Sequence, residues 1–215
     1  MITIDPMTLR PNLPSEGQPS WFFIAVDLDG EARREWAAEQ AASAAGELDL
    51  GARENGQDVQ DHLAAVFFEA SAAPRPEGFS ARVLFIPDTS TWGLTIDFVA
   101  FEVSDDAEDR EATHRMLTSA DEDDDAGSYL VGIHDAQGTE CGLLRISVVE
   151  QPLVEFEGGG AIVPVASLTC VIRRPDGQGA VVDLVGICVT QDVALLALAL
   201  DPLKNLMLGN ELVTE

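Results

Sequence analysis

Carboxylates are the side chains in this sequence best suited to chemistry. Asp27 and Asp29 follow the apolar run Trp21-Phe22-Phe23-Ile24-Ala25-Val26 and precede Gly30, so two acids leave the end of an expected strand. Paired carboxylates of this kind do nucleophilic and acid–base work. A second group, Asp121-Glu122-Asp123-Asp124-Asp125, is a continuous acidic run. The other candidate groups are sparser. His62, His114 and His134 have no second His or Cys at metal-ligand spacing. Cys141, Cys170 and Cys188 are odd in number and form no CxxC pair, so they read as reduced, buried thiols rather than a disulfide framework or a zinc site. No GxSxG, P-loop or GxGxxG motif occurs.

The string Phe23-Ile24-Ala25-Val26-Asp27-Leu28-Asp29-Gly30 resembles the first motif of haloacid-dehalogenase-type phosphatases. By that resemblance Asp27 would be the nucleophile and Asp29 the proton donor, with Mg²⁺ neutralising the phosphate. The chain departs from the pattern. Glu31 stands where a Thr is usual, putting negative charge where phosphate must approach, and Lys204, the only lysine, is far along the chain. No later paired-Asp motif follows a strand. An Asp-x-Asp-Gly turn leading into a helix, with Asp29 as its cap, explains the same residues. The acidic run fails a calcium reading as well: an EF-hand loop counted from Asp121 needs Gly sixth and Glu twelfth, where Ala126 and Gly132 stand. Adjacent like charges favour a hydrated surface loop. From Glu102 to Asp125 there are eleven acids against two arginines, which makes Asp121, Glu122, Asp123, Asp124 and Asp125 the candidate partner-binding residues.

The elements that would position these residues come from periodicity. Residues 1–20, with four prolines, read as an extended lead-in. A strand from Trp21 to Val26 precedes an Ala/Glu/Arg-rich helix from Glu31 to Ala45, ended by Gly46. Val59, Leu63, Val66, Phe67 and Ala70 form one apolar stripe, predicting a helix from Gln57 to Ala72 ended by Pro74 and Pro76. Strands follow at Ser80 to Ile86 and Trp92 to Val103. A weaker helix is expected from Asp105 to Ser119, then paired strands from Tyr129 to His134 and Leu143 to Val149. Two Val/Ile-rich runs, Ala161 to Arg174 and Ala180 to Thr190, flank a Pro-Asp-Gly turn and predict a long hairpin. The second run is apolar at both parities, which predicts cover on both faces. Asp192 to Met207 supplies a closing helix, kinked or divided at Pro202. Trp21, Trp36 and Trp92 are read as core. The expectation is an α+β fold: a twisted antiparallel sheet of about six or seven strands with helices on both faces. One domain spans residues 21–210, with a tail at 211–215.

The run Val163-Pro-Val-Ala through the Arg-Pro-Asp-Gly-Gln-Gly turn to Val189, followed by Leu196 to Leu203, resembles the Mog1p/PsbP-like fold. Together with the opening Trp-Phe-Phe-Ile-Ala-Val-Asp-Leu-Asp string, the layout is similar to uncharacterised actinobacterial proteins. The resemblance implies a late hairpin and closing helix over an antiparallel sheet, and a binding or accessory role without catalytic machinery.

Composition narrows the partners. A chain of 215 residues that is 46 % apolar can bury a substantial core. Twelve basic against 38 acidic residues give a formal charge of −26 at pH 7. Such a surface repels nucleic-acid backbones and anionic headgroups, excluding nucleic-acid and membrane partners. The N-terminus lacks the basic end and apolar run of a secretory leader, so a cytoplasmic protein is expected. The function expected is a non-catalytic acidic binding or accessory protein, of adaptor or immunity type, with a basic protein partner and no cofactor or metal. The alternative is a Mg²⁺-dependent phosphatase using Asp27 and Asp29.

Overall fold

The computed structural model describes residues 9–11, 21–48, 56–87, 91–100, 104, 106–118, 129–134, 140–152, 162–175, 181–208 and 212–214. Strands β1 (Leu9–Pro11) and β2 (Trp21–Phe23) precede helices α1 (Gly30–Glu47) and α2 (Gly56–Ala72). Strands β3 (Phe79–Phe85) and β4 (Leu94–Ala100) lead to helix α3 (Ala107–Thr118). Strands β5 (Tyr129–His134), β6 (Glu140–Pro152), β7 (Ile162–Pro175) and β8 (Val181–Thr190) then run into helix α4 (Val193–Leu208) and a final strand β9 (Leu212–Thr214).

The fold is α+β, with seven strands in the order β2-β3-β4-β8-β7-β6-β5 and every neighbouring pair antiparallel. The hairpin β7–β8 runs in register from Pro175↔Val181 to Ala166↔Thr190, as the alternating Val/Ile runs require. β1 and β9 pair with each other in a separate two-stranded sheet.

Helix boundaries follow local chemistry. Asp29 caps α1, its carboxylate accepting from the Ala32 amide at 3.3 Å. Gly46 does not end α1; the helix continues to Glu47, and the Leu48 amide closes the last turn on the Ala44 carbonyl. Asp192 caps α4 through the Leu195 amide at 2.8 Å. α4 runs unbroken through Pro202. Pro202 has no amide hydrogen to give the Leu198 carbonyl four residues earlier.

Two apolar clusters meet across β3. Leu84 and Ile86 join Phe22, Ile24 and the helices α1 and α2, where Ala37, Ala41 and Ala44 let α1 approach Leu63 and Phe67 of α2. Phe22 and Trp36 meet the Phe67 ring edge-on, at 5.4 and 5.8 Å. The alternate residues Ala81, Val83 and Phe85 join Ile96, Phe98, Leu168 and Ile172, together with Leu196, Ala199, Leu203 and Leu206 of α4. Alternation along a strand sends these two sets to opposite faces. The second face of β8 is not covered throughout, because Ile187 and Val189 are exposed. That face is buried at Asp183 and Val185 and opens to solvent only beyond them.

Cys170 and Cys188 lie in the α4-side cluster. Burial pushes both thiols up from 9.0 to about 12, with nearby Asp97 also raising Cys188. Neither should react with a thiolate-seeking disulfide reagent at neutral pH until the protein unfolds. The linkage has a definite sign. The folded state keeps these protons where the unfolded chain has lost them, so their contribution is whole below pH 9.0 and is lost as the pH rises towards about 12. Urea midpoints measured across that window should fall, and more gently in Cys170→Ala.

Candidate functional site

The residues singled out by the sequence do not converge. Asp29 is occupied by its capping role, and Arg33 donates to the Leu28 carbonyl at 2.6 Å within the same turn. Asp27 is exposed and accepts from Arg75 at 2.7 Å. Both carboxylates follow a three-residue edge strand of an antiparallel sheet, without the parallel strand ends that gather phosphatase carboxylates. Among the described residues no group of three or more His, Cys, Asp and Glu could hold a metal ion. His62 lies on α2 and His134 on β5. Asp121, Glu122, Asp123, Asp124 and Asp125 lie outside the described residues.

A different site takes shape around a pair of charges inside the sheet. Arg82 on β3 faces Asp97 on β4 in register, and Arg82 is 2 % exposed. Its Nε and Nη2 donate to the two Asp97 carboxylate oxygens at 2.5 and 2.8 Å. Nη1 donates to the carbonyls of Ala70 (2.7 Å) and Ala73 (2.9 Å), and Nη2 to that of Pro74 (2.7 Å). All three carbonyls belong to the end of α2 or the residues just after it, where helix carbonyls have no amide partners. One buried guanidinium therefore satisfies the helix terminus, neutralises Asp97 and fixes α2 to the sheet. Ser71 adds a bond from its hydroxyl to the Ala25 carbonyl.

Beside this clamp lies a groove of about 670 Å³. One wall is Val66, Glu69 and Ala70 of α2, continued by Ala73, Pro74, Arg75 and Pro76. Across from it stand Thr95 and Asp97 of β4 and Ile187, Cys188 and Val189 of β8. Trp92 completes the lining, with its ring edge-on to the His62 imidazole at 4.5 Å. Gly93 makes that position possible: a Cβ there would sit 2.6 Å from Leu84 Cδ1 and 3.2 Å from the Phe85 carbonyl oxygen. Trp92 is not core, being 62 % exposed, and Val189 is 67 % exposed.

Trp92, Ile187 and Val189 are three of the five large hydrophobic residues exposed among those described. Their convergence beside polar groups is the mark of a contact surface rather than of scattered surface apolarity. Among its described residues the groove has no nucleophile and base in contact; Arg82, Asp97 and Arg75 are held in ion pairs, and Glu69 is exposed. Asp27 reaches the groove rim only through Arg75. Sequence reasoning missed the site, although one signal was present: Arg82 and Asp97 are lone opposite charges within two otherwise uncharged strands. Among the described residues no helix is long and apolar enough to cross a membrane. No protein-family model matches the chain, and neither a curated protein nor a solved structure matches it.

Proposed function

We propose that this protein is a non-catalytic, acidic binding or accessory protein, of adaptor or immunity type, that docks a basic protein partner through the groove between α2, β4 and β8. The observation that carries the reading is the gathering of exposed Trp92, Ile187 and Val189 on one concavity walled by a helix that Arg82 clamps in place. A large aromatic anchor on a rigid scaffold is the usual centre of binding energy in an interface. The charge of −26 adds long-range attraction for a cationic partner and discourages nucleic acid and anionic membranes. In this reading Asp121, Glu122, Asp123, Asp124 and Asp125 contribute to that attraction. A Mog1p/PsbP-like relationship, with helices on both sheet faces, accords with the late hairpin β7–β8 followed by α4. On the face shared by Val185, Ile187 and Val189, cover then ends at Val185 and leaves the docking surface open beyond it.

Partner capture by the wild type and by Trp92→Ala/Val189→Ser tests the reading, each captured protein being rebound in purified form. The double variant is expected to lose partners while keeping its fold, since both side chains are largely exposed. A double variant that retains every partner overturns the groove as docking surface, and one with Asp121 to Asp125 neutralised that does so removes the acidic run from it. The wild type is expected to release no phosphate from an aryl phosphate with Mg²⁺. Release that Asp27→Asn abolishes would restore the phosphatase.

A further inference from the structure

We propose that the groove is a split between two strands, and that it takes an extended, basic peptide segment of the partner as an added strand; this rests on the docking reading above. The split is visible in the register. β4 and β8 pair from Ala100↔Leu184 only as far as Asp97↔Ile187. β4 nevertheless continues on β3 to Leu94, and β8 continues on β7 to Thr190. Leu94 to Ile96 and Cys188 to Thr190 therefore belong to the sheet on one side only, with no register between them among the described residues.

Ile187, at the last pair with β4, and Cys188 and Val189 beyond it all line the groove. The Cys188 side chain itself points to the cluster under α4. A strand edge of this kind presents main-chain donors and acceptors along its length, which an incoming extended segment can pair with. Apolar side chains of that segment would then lie against Trp92 and Val189.

Charge selects among occupants. A second copy of this chain would bring −26 against −26, whereas a cationic segment is drawn in. Within the groove Arg82 is neutralised by Asp97 and Arg75 by Asp27, which leaves exposed Glu69 to receive Lys or Arg from the segment. Trp92 offers a ring face for a cation as well.

The test uses a blocked peptide alternating valine and lysine, of about seven residues to span the split. Binding to the wild-type protein is followed by calorimetry at about 0.15 M salt, where the Debye length is near 8 Å. One twin peptide carries N-methyl groups on alternate amides, and another has glutamate for lysine. The parent peptide is expected to bind one to one, the methylated twin roughly tenfold or more weaker, and the glutamate twin not at all. Trp92→Ala/Val189→Ser should weaken the parent by roughly tenfold. Equal binding of the methylated twin overturns strand addition while a loss in the double variant leaves the docking groove standing. Equal binding of the glutamate twin overturns the cationic occupant. Parent binding that the double variant leaves unchanged overturns both the inference and the groove, and a parent that fails to bind the wild type overturns the inference alone.

Discussion

Arg82→Met is expected to lower the unfolding free energy by about 3–5 kcal/mol, the usual loss when one member of a buried ion pair is removed. Asp97 would keep its charge without the two donors it now accepts from, and the carbonyls of Ala70, Ala73 and Pro74 would lose theirs. For a chain of this size that corresponds to a melting temperature lower by about 10 °C. Urea unfolding at neutral pH checks the value. A loss under about 1 kcal/mol would mean that the pair behaves like a solvent-screened surface bridge. Arg82→Met/Asp97→Leu separates the two contributions. Removing both charges should restore much of the pair's cost, but not the helix-end bonds, so recovery should be partial. The functional consequence differs from the stability one. α2 forms the groove wall, and without its clamp the double variant should bind partner less well even at temperatures where it is fully folded.

Gly186→Val is the second large effect, expected to cost about 3 kcal/mol, at the upper end of overpacking penalties. A Cβ at Gly186 would stand 2.5 Å from Cys170 Sγ, 2.9 Å from Phe98 Cε1 and 3.2 Å from Ile96 Cγ2. All three neighbours are fully buried, so none can swing into solvent. The site lies where β4 and β8 still pair, one residue before the last pair Asp97↔Ile187, with Phe98↔Gly186 in direct register. Strain there should spread to the strand ends that line the groove. Adding Cys170→Ala removes the closest contact, and the double variant should be more stable than Gly186→Val alone. Equal stability of the two would show that the strands, not Cys170, take up the strain.

Much of the fold was legible because its signals are local. The α2 stripe, the alternation from Leu94 to Ala100, the Asp29 cap and the β7–β8 hairpin each depend on residues within a few positions of one another. The antiparallel order of the second half followed from turns too short for crossovers. The pairing of β1 with β9 was illegible for the opposite reason: two three-residue strands from the chain ends carry no periodicity.

The site was the least legible part. A tryptophan among apolar neighbours reads as core, yet Trp92 stands on the surface, next to a Gly93 backbone too close to Leu84 to carry a Cβ. Asp27 and Asp29 attracted attention as a motif, yet one carboxylate caps a helix and the other holds Arg75.

By itself the sequence determined the charge, the strand and helix alternation and the antiparallel hairpins, since net charge is a sum and periodicity is a property of neighbours in the chain. Only the tertiary structure decided that Arg82 would reach Asp97 and the α2 carbonyls at once, and that β4 and β8 would part beyond Asp97 and Ile187. Those outcomes depend on how twisted strands and a helix end meet in space, which no spacing along the chain specifies.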